Sequence, residues 1–139
     1  GITRVEVAGS GPAGPYIASW LASRLGWSRG ASPWTWRRRD GNEVRVKVSR
    51  EPAAAPGGIV SVRLDAPDAR PPARFSAQRI SADSDIVRLT VEIEGTCPLP
   101  ASLKLVEPDD AALLCRKLER TASDPFFEAA LREAAGAAG

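Results

Sequence analysis

Residues 12–27 read Pro-Ala-Gly-Pro-Tyr-Ile-Ala-Ser-Trp-Leu-Ala-Ser-Arg-Leu-Gly-Trp, and the period of this stretch decides the fold class. Pro15 suits a first helical position, where the N–H it lacks would have no partner. Ile17, Trp20, Leu21 and Leu25 fall at i, i+3, i+4 and i+8, an apolar stripe along one helix face. Ser19, Ser23 and Arg24 interrupt that stripe and are expected to face solvent. Gly26 follows the last periodic residue, where a left-handed C-terminal conformation favours glycine. The spacing predicts one amphipathic helix against which a β region packs.

Working outward, the period on either side changes to two. Upstream, Thr3–Val7 alternates apolar and polar and feeds a glycine-rich turn over residues 9–14. Downstream, Ser28–Ser32 reads as a loop. Pro33–Arg38 reads as a strand with Trp34 and Trp36 on one face and Thr35 and Arg37 on the other. Asp40-Gly41-Asn42 is a hairpin turn signal. It leads to Glu43–Ser49, where Val44, Val46 and Val48 face a core while Arg45 and Lys47 face water. A Pro/Ala/Gly loop at 51–58 precedes Ile59–Asp65, with Val60, Val62 and Leu64 inward. A weaker strand comes next, around Arg74–Ile80. The cleanest alternation is Asp85–Glu94, which sets Val87, Leu89, Val91 and Ile93 against Arg88, Thr90 and Glu92. A last extended piece lies near Ala101–Val106.

The helical period then returns. Pro108, Asp109 and Asp110 open a helix with negative charge at its positive end, and Ala111, Leu114, Cys115 and Leu118 form its stripe. Asp124-Pro125 starts a second helix with Phe127, Ala130, Leu131 and Ala134 at helical spacing, and the tail 135–139 is expected to fray. The order predicts a single α+β domain over 1–139. It has an N-terminal βα unit, a largely antiparallel sheet of about five to six strands, and two C-terminal helices.

Bulk properties exclude several function classes. A chain of 139 residues that is 43% hydrophobic can bury roughly 68% of its unfolded surface as one domain. The net charge of +2 implies no bulk affinity for nucleic acid or an acidic membrane. No apolar run approaches the roughly 18 residues of a spanning helix. The sequence lacks Met, which predicts a fragment of a longer polypeptide. Two cysteines without a secretion signal predict a reducing, cytoplasmic setting.

Three features bear on chemistry. Gly9-Ser-Gly11-Pro-Ala-Gly14 matches G-x-G-x-x-G between a strand and a helix, where a backbone can approach a pyrophosphate. Against a nucleotide site, the strand after the helix ends in Arg37-Arg38-Arg39 rather than an acidic residue, and the strands beyond it look antiparallel. A flexible turn is the other reading. The second feature is the basic and aromatic cluster of Trp34, Trp36, Arg37, Arg38, Arg39, Arg45, Lys47 and Arg50, residue types that recur at protein–protein hot spots and on nucleic-acid platforms. Its alternative is two core tryptophans and a solvated sheet face. The 17 acidic residues nearly cancel the 19 basic ones, which argues against nucleic acid. The third is Cys97 and Cys115, read either as reduced structural thiols or as a redox pair. With no histidine, Ser-His-Asp and Cys-His nucleophiles and most zinc sites are excluded. No catalytic residue, metal ligand or cofactor is expected.

A resemblance adds what these residues alone do not give. Ala18-Ser-Trp20-Leu21-Ala-Ser-Arg24-Leu25-Gly26-Trp27 resembles the "WLASRLGW" helix of the glucose-6-phosphate dehydrogenase assembly protein, the OpcA family. Asp109-Asp110-Ala-Ala-Leu113-Leu114, then Leu118, then Asp124-Pro-Phe126-Phe127-Glu128, with Ala130 and Leu131, is similar to the closing helices of that family's C-terminal domain. The resemblance implies a non-catalytic role: binding glucose-6-phosphate dehydrogenase, of the oxidative pentose phosphate pathway, and favouring its active oligomer. Trp34, Trp36, Arg37, Arg38 and Arg39 are the candidate contacts. A thioredoxin-dependent input is associated with one branch of the family, and Cys97 and Cys115 are the residues available to carry one here. Self-association is left open. The alternative is a nucleotide- or sugar-phosphate-binding domain using Gly9, Gly11 and Gly14.

Overall fold

Alternating valines build the centre of the sheet. Val5 and Val7 of β1 (Arg4–Gly9) and Val44 and Val46 of β4 (Glu43–Arg50) are 7% exposed or less. Their β-branched side chains suit a pleated, half-buried surface. The computed structural model describes residues 1–32, 34–52, 54, 58–96, 100–105, 111 and 125–137. The remaining elements are α1 (Ala13–Leu25), β2 (Ser28–Arg29), β3 (Thr35–Arg37), β5 (Ile59–Ala66), β6 (Ala73–Arg79), β7 (Ile86–Ile93), β8 (Ala101–Lys104) and α2 (Pro125–Ala137). All eight strands join one sheet in the order β2-β3-β4-β1-β5-β6-β7-β8.

The α+β class is as expected, but eight strands replace the anticipated five to six. The added β2 has only two residues, too few to show a period, and it pairs with β3 inside the stretch read as a loop. One pairing also departs from an antiparallel meander. β1 and β4 run parallel, with Val5 beside Val46 and Val7 beside Val48, so α1 lies within a crossover. On its other side β1 pairs antiparallel with β5. Consecutive strands β4 and β5 are therefore separated by β1.

Helix α1 ends as its glycine predicts: Gly26 takes φ 66°, and the Trp27 N–H donates to the Ala22 carbonyl at 2.9 Å. Its start and its buried face need correction. The helix begins at Ala13 after an N-terminal Pro12, so Pro15 is the third helical residue, still inside the turn whose N–H groups lack partners. The fully buried positions are Gly14, Ala18, Ser19 and Ala22, while Trp20 and Leu25 are 38% and 43% exposed. The cause is close approach. A Cβ on Gly14 would lie 2.6 Å from Val48 Cγ1, so small residues occupy the contact line and Ile17 and Leu21 flank it. Ser19 is buried rather than solvated because α2 covers a second side of α1, with Ala130 fully buried. Leu131, expected in the stripe of α2, is 46% exposed.

Strand register sorts the side chains into two faces. Trp36, Val44, Val5, Leu64, Phe75, Val91 and their alternates share the helix-covered side. A bulge between Ala8 and Gly9 shifts β5, so Ile59 packs on the core where Val60 is expected. Helix α1 lies over β1 and β4, which leaves Val91 and Ile93 of β7 each 40% exposed. Of the two predicted C-terminal helices, α2 is observed; residues 108–118 lie outside the described residues, apart from Ala111.

Candidate partner-binding surface

The glycine turn is occupied by packing. Glu51 N–H donates to the Gly9 carbonyl and Ser10 N–H to the Gly58 carbonyl, both at 2.9 Å, and Gly58 N–H donates to Ser10 Oγ at 3.2 Å. The two ends of the connection from β4 to β5, Glu51 and Gly58, thus bond to the turn, and a Cβ on Gly9 would lie 2.7 Å from the Gly58 oxygen. Gly11 is needed for its φ of 56° and Gly14 for the contact with Val48. In the first helical turn Pro15 has no N–H and Tyr16 N–H donates to the Pro12 carbonyl at 3.0 Å, leaving Ala13 and Gly14 as donors. A cavity of about 420 Å³ lined by Gly9, Gly11, Trp34 and Arg50 opens beside the turn.

The basic and aromatic cluster is divided by the sheet. Trp36 is 0% exposed, so it serves the core and presents no ring to a partner. Its Nε1 has no hydrogen-bond partner among the described residues, and the Arg29 guanidinium lies 6.0 Å from its ring centroid. Trp34 packs half-buried beside it, with centroids 6.2 Å apart. Arg38 donates to the Ile2 carbonyl at 3.3 Å and pairs with Asp40. The Asn42 backbone N–H, donating at 3.1 Å, and then the Arg38 charge hold the Asp40 carboxyl below its ordinary range. Arg39 is exposed beside Gly26, on the helix side. Arg37 alternates with Trp36 and so points from the opposite face. Cys97 and Cys115 lie outside the described residues.

That opposite face is polar across all eight strands. No helix covers it among the described residues. In its central and distal part most charges are internally matched, the exposed Arg88 of β7 making no ion pair among the described residues. Arg4 and Arg63 lie 3.0 and 3.8 Å from Glu6, and Arg74 lies 2.6 Å from Asp65 and 3.3 Å from Glu92. The hydrogen bond and charge of Asp65 raise the Arg74 pKa further, fixing it as a cation. Towards β3 and β4 the matching stops. Arg37, Arg45 and Lys47 are exposed and make no ion pair among the described residues. A cavity of about 560 Å³ opens at this corner, lined by Thr3, Arg4, Glu43, Arg45, Val46, Lys47 and Asp68.

Over residues 1–131 the sequence matches the family described as the C-terminal domain of the glucose-6-phosphate dehydrogenase subunit. The chain belongs to this family. No curated protein and no solved structure matches the chain. The part shared with the glucose-6-phosphate dehydrogenase subunit family includes α1 with its exposed Trp20, which sequence reasoning placed in the core because its spacing agrees with the apolar stripe. No helix among the described residues is long and apolar enough to cross a membrane, and no group of three or more potential metal-binding side chains occurs among them.

Proposed function

We propose that this domain is a non-catalytic module that binds glucose-6-phosphate dehydrogenase and favours its active assembly. The observation that carries the reading, beside membership of the family, is the open sheet face: eight strands wide, polar and without a covering layer among the described residues. Antiparallel sheets tolerate a solvated face, so the fold needs nothing there. A face of this kind is free to receive a partner. Binding that prefers the active oligomer shifts the enzyme toward it by the difference in affinity. The glycine turn supports nucleotide binding less, since its three glycines are each required by the backbone or by packing.

The test is co-purification of the domain with the dehydrogenase of the same organism, with activity assayed with and without it. A stable complex with raised activity or a larger share of the active oligomer is expected. No complex and no activation, with the full-length protein also inert, overturns the reading and returns attention to the cavity beside Arg50.

A further inference from the structure

We propose that the β3–β4–β1 corner of the open face docks a carboxylate-rich protein surface. This assignment rests on the partner-binding role proposed above and adds the place and the chemistry of the contact.

The argument begins with alternation. Arg45 and Lys47 are successive same-face residues of β4, and Arg37 stands diagonally across on β3, where its direct neighbour is Glu43. Arg4 of β1 is registered beside Arg45. Directly opposed like charges destabilise a sheet unless something else compensates them. Elsewhere on the face Glu6, Asp65 and Glu92 each lie beside an arginine, while the exposed Arg88 of β7 stands singly without an ion pair among the described residues. At the corner Arg37, Arg45 and Lys47 make no ion pair among the described residues, although Glu43 is registered beside Arg37 and Glu6 beside Lys47. Arg45 and Lys47 line the 560 Å³ concavity together with Arg4, Glu43 and Asp68. Two adjacent cations without an ion pair, Arg45 and Lys47, at the mouth of a concavity complement an acidic protrusion.

The same face argues for a protein rather than a nucleic acid. Acidic residues Glu6, Glu43, Asp65 and Glu92 are spread through it, which a uniformly negative phosphate backbone would meet as repulsion. The aromatic residues Trp36 and Phe75 point to the opposite side, so no stacking platform is offered. A folded protein surface mixes both signs and fits such a pattern.

The test compares the wild-type chain with the double variant Arg45→Glu/Lys47→Glu and with Arg88→Glu, a charge reversal on distant β7. The substituted side chains are exposed, and unchanged circular dichroism and thermal unfolding establish that the variants fold. Affinity for the dehydrogenase is expected to fall by at least about tenfold in the double variant, and wild-type affinity to fall with added salt, while Arg88→Glu changes it little. Equal binding by wild type and double variant, or equal loss in both variants, overturns the assignment and leaves the partner reading intact. A second arm titrates hexaglutamate into the chain and follows amide chemical shifts. Shifts concentrated at Arg37, Arg45 and Lys47 support the assignment even if the dehydrogenase does not bind, in which case only the partner reading fails. Shifts spread over the face or absent from the corner overturn it, as does an RNA oligonucleotide that displaces the peptide there more strongly than the dehydrogenase does.

Discussion

Replacing Gly14 by Ala tests whether close approach of helix and sheet sets the buried face of α1. The added Cβ would sit 2.6 Å from Val48 Cγ1 and 4.0 Å from Val7 Cγ1. The first distance is far inside van der Waals contact, and Val48 is β-branched, with few rotamers into which it can withdraw. Overpacking of this kind costs about 1–3 kcal/mol. Removing a glycine from a helix returns up to about 1 kcal/mol. The expected balance is a loss of about 1–2 kcal/mol, a fall in melting temperature of roughly 3–7 °C for a chain of this size. Urea denaturation of a double-mutant cycle with Val48→Ala isolates the contact. With the offending methyl gone, Gly14→Ala is expected to cost nothing or to stabilise, a coupling of about 1–2 kcal/mol. If Gly14→Ala is as stable as wild type, or costs the same in both backgrounds, the helix does not lie where this contact requires.

Two further outcomes concern buried and exposed polar groups. Ser19 is 0% exposed and its Oγ has no hydrogen-bond partner among the described residues, so Ser19→Ala is expected to stabilise by about 1 kcal/mol in denaturant titration; a loss of stability would show that the hydroxyl is bonded. The Asp40 carboxyl is held low chiefly by the Asn42 N–H, and that of Asp83 chiefly by the Ser81 hydroxyl at 2.7 Å. A lowered folded-state value means that the contribution is present above about pH 4, the unfolded range, and is lost as pH falls through the folded value. NMR titration should place both groups below ordinary aspartates, and Asp40→Asn should flatten the acid end of the stability profile.

Much of this architecture is legible in the sequence because alternation survives wherever one face is buried. Val44, Val46 and Val48 point inward and Arg45 and Lys47 outward, as the period of two requires, and the Asp40-Gly41-Asn42 turn has its left-handed glycine at φ 83°. Other features carry no local signal. A two-residue strand has no period, and the bulge that exchanges Val60 for Ile59 depends on how β5 meets β1. Apolar periodicity misassigns the buried face of α1 because it weights bulk, whereas contact at this distance selects Gly14, Ala18 and Ala22. The candidate surface is half legible: the basic residues are identifiable, but only the register shows which of them stand together. Arg37 joins Arg45 and Lys47 on the open face, while its chain neighbour Trp36 points the other way.

The position of β1 has a consequence for how the sheet comes together. Strands β2 to β4 and strands β5 to β8 each form through neighbours in the chain, and among the strand pairings only β1 joins these two wings. Each wing can zip from its hairpins at small loop-closure cost. Joining them waits for a six-residue strand to find partners far along the chain on both sides, the kind of non-local pairing that slows folding. The N-terminal strand is the keystone: without its pairings the corner carrying Arg45 and Lys47 and the distal wing are two separate ribbons, and with them they are one continuous sheet.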